Sequence, residues 1–551
     1  MLTDVKFGPH TLADVIKTKL SKFKDRDTRR LFGVLLGGKL LGLATVLAAM
    51  KGFLWIFENA AGATPMDAVV HQANDLINPL NTVWTLLAAF LVFFMQAGFM
   101  ALEAGFARSR EAVNVLMECV FDTCLCGVLY FMIGFAFQFG AGNGFIGHQY
   151  FFLHGAPQTY GTTGVAFMAF WLFQFAFADT ASTITSGAMV GRTGFKGDIL
   201  YSAAVSGFLY PIFGHWVWGP GGWLGNTMGV FKNFVGGTVF RDFAGSTVVH
   251  TVGGVIALAG CIALGPRLGR TFKRDGGGPL PAHDLTIGAL GGVILWFGWY
   301  GFNPGSTLSA MDFGGIGRVA MNTTLAACAA GLSAVCFVYP RFRKWDLGMS
   351  VNGFLGGLVA ITCPCYWVSP SGALWIGLIA GIIVPLGIDF MEWRRWDDPI
   401  GAVPVHGMCG IWGTLSLGLW ATGQFGVPTA DGADISTKVK GLFYGGGLNQ
   451  LKSQAIGSLT CVIAVGGVAL LVMYAVRAIR GSWNLRVNRD GELEGLDIHE
   501  HGLPAYHMEF GHGVSYTAPP SFSSGILGGA VAAGEPTPGS REPVGSDSGP
   551  A

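Results

Sequence analysis

Two segments far apart in the chain share one layout: Asp242-Phe-Ala-Gly-Ser-Thr-Val-Val-His250 and Asp398-Pro-Ile-Gly-Ala-Val-Pro-Val-His406. In each, an aspartate stands eight residues ahead of the histidine of a Val-His pair. A neutral imidazole has one donor and one acceptor nitrogen, so two of them can share an N–H···N bond and still offer groups to a polar guest. Two imidazolium ions brought side by side would repel. The aspartates by themselves are candidate helix caps.

Both segments lead into long apolar, glycine-rich runs that read as membrane helices. An ionisable side chain at membrane depth is costly and faces a bundle interior or a pathway. Two of them at matching places in two halves suggest a duplicated transport fold with its site at the repeat interface. With 51% hydrophobic and 12% charged residues, mean hydropathy +0.49 and 86 glycines in 551 residues, the chain is not an ordinary soluble domain. Glycine suits close helix packing in lipid. A net charge of +1 implies no nucleic-acid partner. Most of the ten cysteines lie in or beside apolar runs without C-x-x-C ligand spacing, so they read as packing residues, not a disulfide framework.

A hydrocarbon core of about 30 Å takes about 20 apolar residues to span. On that basis spans fall near 82–106, 115–138, 163–190, 198–219, 244–264, 285–303, 317–339, 349–368, 371–391, 402–422 and 453–478. Alternate loops carry Arg108 and Arg110; Arg192 and Lys196; Arg267, Arg270, Lys273 and Arg274; Arg341, Arg343 and Lys344; and Arg394 and Arg395. The other loops hold only Lys232, Arg241, Arg318, Lys438, Lys440 and Lys452. Since cytoplasmic loops are the basic ones, the first span starts outside and the C-terminus ends in the cytoplasm. The expected fold is therefore an all-α polytopic membrane protein of eleven transmembrane helices, an inverted five-plus-five repeat plus one. His250 falls in the fifth span and His406 in the tenth. A further apolar run at 32–57 is either a signal peptide, with a small-residue site at Ala61-Gly62-Ala63, or a retained extra helix; the reading favours removal.

Several strings carry a family resemblance: Phe173-Gln-Phe-Ala-Phe177 with Thr183-Ile-Thr-Ser-Gly-Ala188, Tyr210-Pro-Ile-Phe-Gly-His-Trp-Val-Trp218, Asp242 to His250, and Leu295-Trp-Phe-Gly-Trp-Tyr-Gly-Phe-Asn-Pro-Gly-Ser306. Asn352 to Thr362, Asp397 to Gly410 and Gly495-Leu-Asp-Ile-His-Glu-His-Gly502 continue the order. Over residues 80–507 the chain resembles the ammonium transporters of the Amt/Mep/Rh superfamily, in the bacterial and plant Amt style. The resemblance implies a homotrimer in a cell (inner or plasma) membrane, each protomer with its own pore for ammonium or ammonia, methylammonium being an analogue.

Such a pore must handle a small cation whose transfer into hydrocarbon costs several kcal/mol, about 20 by idealised Born estimates. The resemblance implies an outer recruitment site at Trp218 and Ser306, where an aromatic face and a hydroxyl favour cations. It also implies a phenylalanine gate at Phe177 and Phe302, and twin histidines, His250 and His406, in the lumen below. Asp242 is implied to support the outer site, and Asp398 to do equivalent structural work in the second half. Glu103 is an intramembrane acid for which interior pairing is the only account. His215 and the tail histidines His499, His501, His507 and His512 resemble a metal cluster in number only; their spacing fits no ligand pattern, and a solvated tail is the reading taken. No cofactor or metal is called for.

The expected organisation is an N-terminal extension over 1–77, a membrane domain over 78–482, a cytoplasmic regulatory tail over 483–517, and a Pro-, Gly- and Ser-rich disordered end over 518–551. His499 stands where plant relatives have a threonine, so regulation by phosphorylation does not carry over; a PII-type signal protein is the partner the tail could meet. Two readings compete with transport. A non-conducting ammonium sensor of the same fold would be expected to carry a signalling domain. A membrane metalloenzyme would need three or four converging ligands where the sequence supplies a pair.

Overall fold

The computed structural model describes residues 76–430, 432–434 and 437–506, together with a two-residue strand pair, Lys6–Phe7 against His10–Thr11. The expected signal-like run at 32–57 and the expected disordered end at 518–551 lie outside the described residues, as do His507 and His512. The described residues from Leu76 to Ala505 form one compact unit.

The described chain is a bundle of long helices: α1 (Ile77–Phe106), α2 (Ser109–Phe139), α3 (Phe167–Gly187), α4 (195–218), α5 (Ser246–Leu264), α6 (Leu285–Thr307), α7 (Phe313–Phe342), α8 (Leu347–Thr362), α9 (Pro370–Arg394), α10 (403–420) and α11 (Asn449–Ala478). Seven of them, α1, α2, α5, α6, α7, α9 and α11, are long and apolar enough to cross a membrane. The chain is a multi-pass membrane protein. Two short helices, α12 (Arg489–Glu494) and α13 (Leu496–His501), follow.

The sequence sets the helix starts with small acceptors. Asp284 takes the N–H groups of Thr286 and Ile287 at the head of α6, Asp312 that of Gly315 in α7, and Asp346 that of Met349 in α8. Ser369 caps Gly372 in α9 with Pro370 at the first helical position. On α1 the outward residues Val83, Leu87, Phe90 and Phe94 are exposed at three- to four-residue spacing, a stripe suited to lipid or another chain rather than water. The inward seam is made of small residues. A Cβ on Gly105 would lie 2.4 Å from the Gly288 nitrogen, and one on Gly291 2.3 Å from the Leu102 nitrogen, so α1 and α6 pack backbone to backbone. In the second half a Cβ on Gly377 would lie 2.2 Å from the Ala326 carbonyl oxygen, and one on Gly381 2.2 Å from that of Ala330, which seats α9 on α7 in the same way.

The basic loops are tied together by a buried ion pair. Arg267 donates to Asp397 from Nε at 2.8 Å and Nη2 at 2.9 Å, and Arg192 gives Nη2 to the Asp397 carbonyl at 2.6 Å. Burial alone would raise the Asp397 carboxyl, but these arginines hold it well below the usual carboxylate range. The tail docks on the same region. Arg486 donates to the Leu264 and Pro266 carbonyls, and Asp497 accepts the Asn114 N–H at 2.9 Å in α2. His501 pairs with the Asn114 side chain at 3.0 Å. The expectation of a solvated tail holds for His499, which is exposed, and needs correction at His501, half-buried on Asn114, and at Arg486 and Asp497, whose side chains complete helix ends that would otherwise be left open.

Candidate functional site

α5 and α10 start alike. At the first, Asp242 accepts the N–H groups of Gly245, Ser246, Thr247 and Val248 at 2.8 to 3.0 Å. At the second, Asp398 accepts those of Gly401, Ala402 and Val403 at 2.8 to 3.1 Å. The third residue after each aspartate is a glycine in the left-handed region, Gly245 at φ 113° and Gly401 at φ 88°, a conformation that a side chain disfavours. A wide π-helical turn follows in both, at Ser246–Thr251 and Val403–Met408, and carries the histidine.

The two helices cross backbone to backbone. A Cβ on Gly254 would lie 2.3 Å from the Gly407 nitrogen, and one on Gly410 2.4 Å from the Ser246 carbonyl oxygen. Residue 246 thus meets 410 while 254 meets 407, so the helices run in opposite directions and their histidines face each other. His250 Nδ1 and His406 Nδ1 are 3.2 Å apart, one ring donating and the other accepting. His250 Nε2 is buried with no protein partner.

Aromatic rings continue from His250 on one side. Its ring lies 5.1 Å from Trp299 and 5.4 Å from Phe302, both nearly parallel to it. Phe302 stacks on Phe177 at 4.0 Å between centroids, and Phe177 meets the edge of Trp218 at 6.2 Å. Trp218 is half-buried and donates its indole N–H to the Asp242 carbonyl at 2.7 Å, so Asp242 holds the helix start with its side chain and the tryptophan with its backbone. Ser306 lies one turn beyond Phe302 and gives its hydroxyl hydrogen to the Phe302 carbonyl at 2.7 Å, which leaves the oxygen's lone pairs as acceptors.

The structure therefore brings His250, His406, Phe177, Phe302, Trp218 and Asp242 into one column, with Ser306 a turn from the Phe177–Phe302 stack. Asp398 stands apart at the start of α10. His215 lies elsewhere, between the Gln138 and Asn143 carbonyls at 2.9 and 2.8 Å, while His499 faces Glu494. Among the described residues no three metal-ligating side chains converge. The sequence reading passed over Trp299, fully buried against His250 with its indole N–H on Thr362 at 2.9 Å. A signal existed: Trp299 precedes Phe302 by three residues and so shares its helix face.

On the other side of the histidines a cavity begins. His406, Phe99, Ile184 and Val405 line it together with Glu103 and Asn352.

A bundle of apolar helices with paired imidazoles buried at a helix crossing is the architecture of a membrane transport protein. More narrowly, the chain belongs to the Ammonium Transporter Family, whose profile matches residues 83–506. It is 41% identical over 447 residues to ammonium transporter Amt2 of Archaeoglobus fulgidus, covering 81% of this chain and 92% of that protein. Ammonium transporter 1 member 3 of Solanum lycopersicum is 36% identical over 444 residues, covering 78% and 94%. Among solved structures, one titled Sensor Amt Protein superposes with a TM-score of 0.67 at 34% identity, covering 77% of this chain and 98% of that one. Mep2 of Candida albicans superposes at 0.65 with 27% identity, covering 75% and 87%.

Proposed function

We propose that this member of the family conducts ammonium or ammonia through a pore in each protomer of a homotrimer in a cell membrane. The observation that carries the reading is the 3.2 Å contact of His250 and His406 directly beneath the Phe177–Phe302 stack. The cation is recruited at Trp218 and Ser306, where an aromatic face and hydroxyl acceptors replace part of its hydration. It then passes the two phenylalanines, and the imidazole pair offers a hydrogen-bonded path through an otherwise apolar lumen. Asp242 acts as a positioning residue for Trp218 and for the α5 start, and Asp398 does the corresponding work for α10.

Eleven crossings, five inverted on five plus one, with the C-terminus in the cytoplasm, fit the antiparallel meeting of α5 and α10. The membrane domain over 78–482 is followed by a regulatory tail over 483–517, which is the surface offered to a PII-type signal protein. Ammonium pulses on proteoliposomes with current recording test the reading, since saturable flux supports it and net charge separates ion from gas conduction. Ammonium binding by the purified protein without flux would instead establish the sensor alternative, to which the likeness to Sensor Amt Protein lends its weight.

The mouth gives a separate prediction. Trp218→Leu and Ser306→Ala should each weaken the outer site by about 1 kcal/mol, the size of one cation–π contact or one hydrogen bond. Uptake should then need about fivefold more ammonium for half-saturation. An unchanged concentration dependence in both variants counts against the assignment.

A further inference from the structure

Glu103 differs from the other buried acids that this fold explains. Asp242, Asp398 and Asp497 all accept backbone N–H groups at helix starts. Glu103 lies near the C-terminal end of α1 and is only 3% exposed. Among the described residues its one donor is the Ser186 hydroxyl at 3.3 Å, a group also spent on the Thr183 carbonyl at 2.8 Å, and Glu103 takes part in no ion pair. A carboxyl so weakly held in an apolar bundle costs stability and serves no helix end.

Its position supplies the reason. Glu103 lines the cavity that begins at His406, whose remaining walls are apolar apart from Asn352. Asn352 commits its amide nitrogen to the Ile400 carbonyl at 3.1 Å, which directs its oxygen to be the acceptor available to a guest. A cation in this cavity thus meets one carboxylate and one amide oxygen, just past the histidine pair.

We propose that Glu103, with Asn352 beside it, forms an inner cation site that holds ammonium or methylammonium after the histidines and before release. The site rests on the transport reading, and it serves whether the histidine pair passes ammonia or the ion. The outer mouth recruits with a ring face and a hydroxyl; the inner end binds with an acid that ionises against the bound cation. The two ends therefore differ in affinity, and Glu103 sets the inner one.

Flux of labelled methylammonium in right-side-out and inside-out vesicles carrying the full chain reads the two ends separately. Glu103→Gln keeps the shape and the Ser186 bond but removes the charge. Half-saturation from the inner face should rise about tenfold, the loss of one charged hydrogen bond, with the outer face unchanged. Glu103→Asp, which withdraws the carboxylate by one methylene, should raise the inner value alone by less, and it provides the test if the glutamine variant fails to assemble. Equal values at both faces, or an equal rise at both, overturn the inner site while wild-type flux keeps the transport reading intact. Wild-type vesicles without saturable flux overturn the transport reading and the site with it.

Discussion

His250→Ala and His406→Ala should each reduce selective ammonium flux by more than about a hundredfold while leaving a folded protein. The rings contribute the polar groups in the proposed lumen, in a stretch otherwise bordered by Trp299, Phe302 and Phe99. A small cation or its neutral form crossing there without them forfeits at least one charge-assisted hydrogen bond and part of its compensation for lost hydration. About 3 kcal/mol of that compensation corresponds to more than a hundredfold in rate. The helices do not depend on the rings, because α5 and α10 are fixed by the Gly254–Gly407 contact and by their aspartate caps. Proteoliposome flux against potassium selectivity, alongside thermal unfolding of the same preparations, checks both halves. Wild-type flux and selectivity in the double variant would contradict the role.

Asp242→Ala carries the largest expected stability loss among the site residues. It strips four buried N–H groups of their acceptor at once. An unsatisfied buried donor costs about 1–3 kcal/mol, so even with half of them finding water the loss exceeds about 2 kcal/mol. Asp398→Ala frees three donors, one fewer, at a half-buried position and should cost less. The ordering can be read from thermal unfolding in one detergent. Transport through Asp242→Ala should fall as well, because Trp218 is anchored on the backbone of that residue. Equal unfolding temperatures for wild type and Asp242→Ala would show that the cap is dispensable.

The repeated Asp-to-His layout was legible because it is local: an aspartate eight residues ahead of a histidine already places a candidate cap and a ring a fixed distance apart, whereas the glycine three residues after each aspartate took its meaning only from the left-handed turns at Gly245 and Gly401. Helix ranges were legible for the same reason, since apolar length and the capping residues Asp284, Asp312, Asp346 and Ser369 lie within a few positions of each boundary. The π-helical turns inside α2 and α4, at Tyr130–Gly134 and Val205–Leu209, have no such mark. They arise where packing admits an extra residue, which apolar periodicity does not encode. Phe177 and Phe302 could not be singled out from 42 phenylalanines by composition, because their stacking is set by the meeting of α3 and α6. They came from the family resemblance alone. Glu103 stood out as an intramembrane acid without a partner in sequence, but its relation to His406 needed the fold, which brings both to one cavity. The tail misled because short polar helices look solvated until their partners, Asn114 and the Leu264 carbonyl, are in view.

The crossing of α5 and α10 also has a genetic consequence. Where a glycine abuts side chains, a damaging methyl can be accommodated by trimming the neighbour: the nearest atoms to a Cβ on Gly292 are the side-chain ends of Val351 and Phe354, so a smaller residue at 351 or 354 could compensate for Gly292→Ala. At Gly254 the obstacle is the main chain of Gly407 itself, with nothing left to trim. Gly254→Ala should therefore yield no second-site revertants at its contact, and selection for restored ammonium uptake should return only the original codon's amino acid. The distance between the imidazoles is written into two backbones, and so it is out of reach of compensating evolution by side chains.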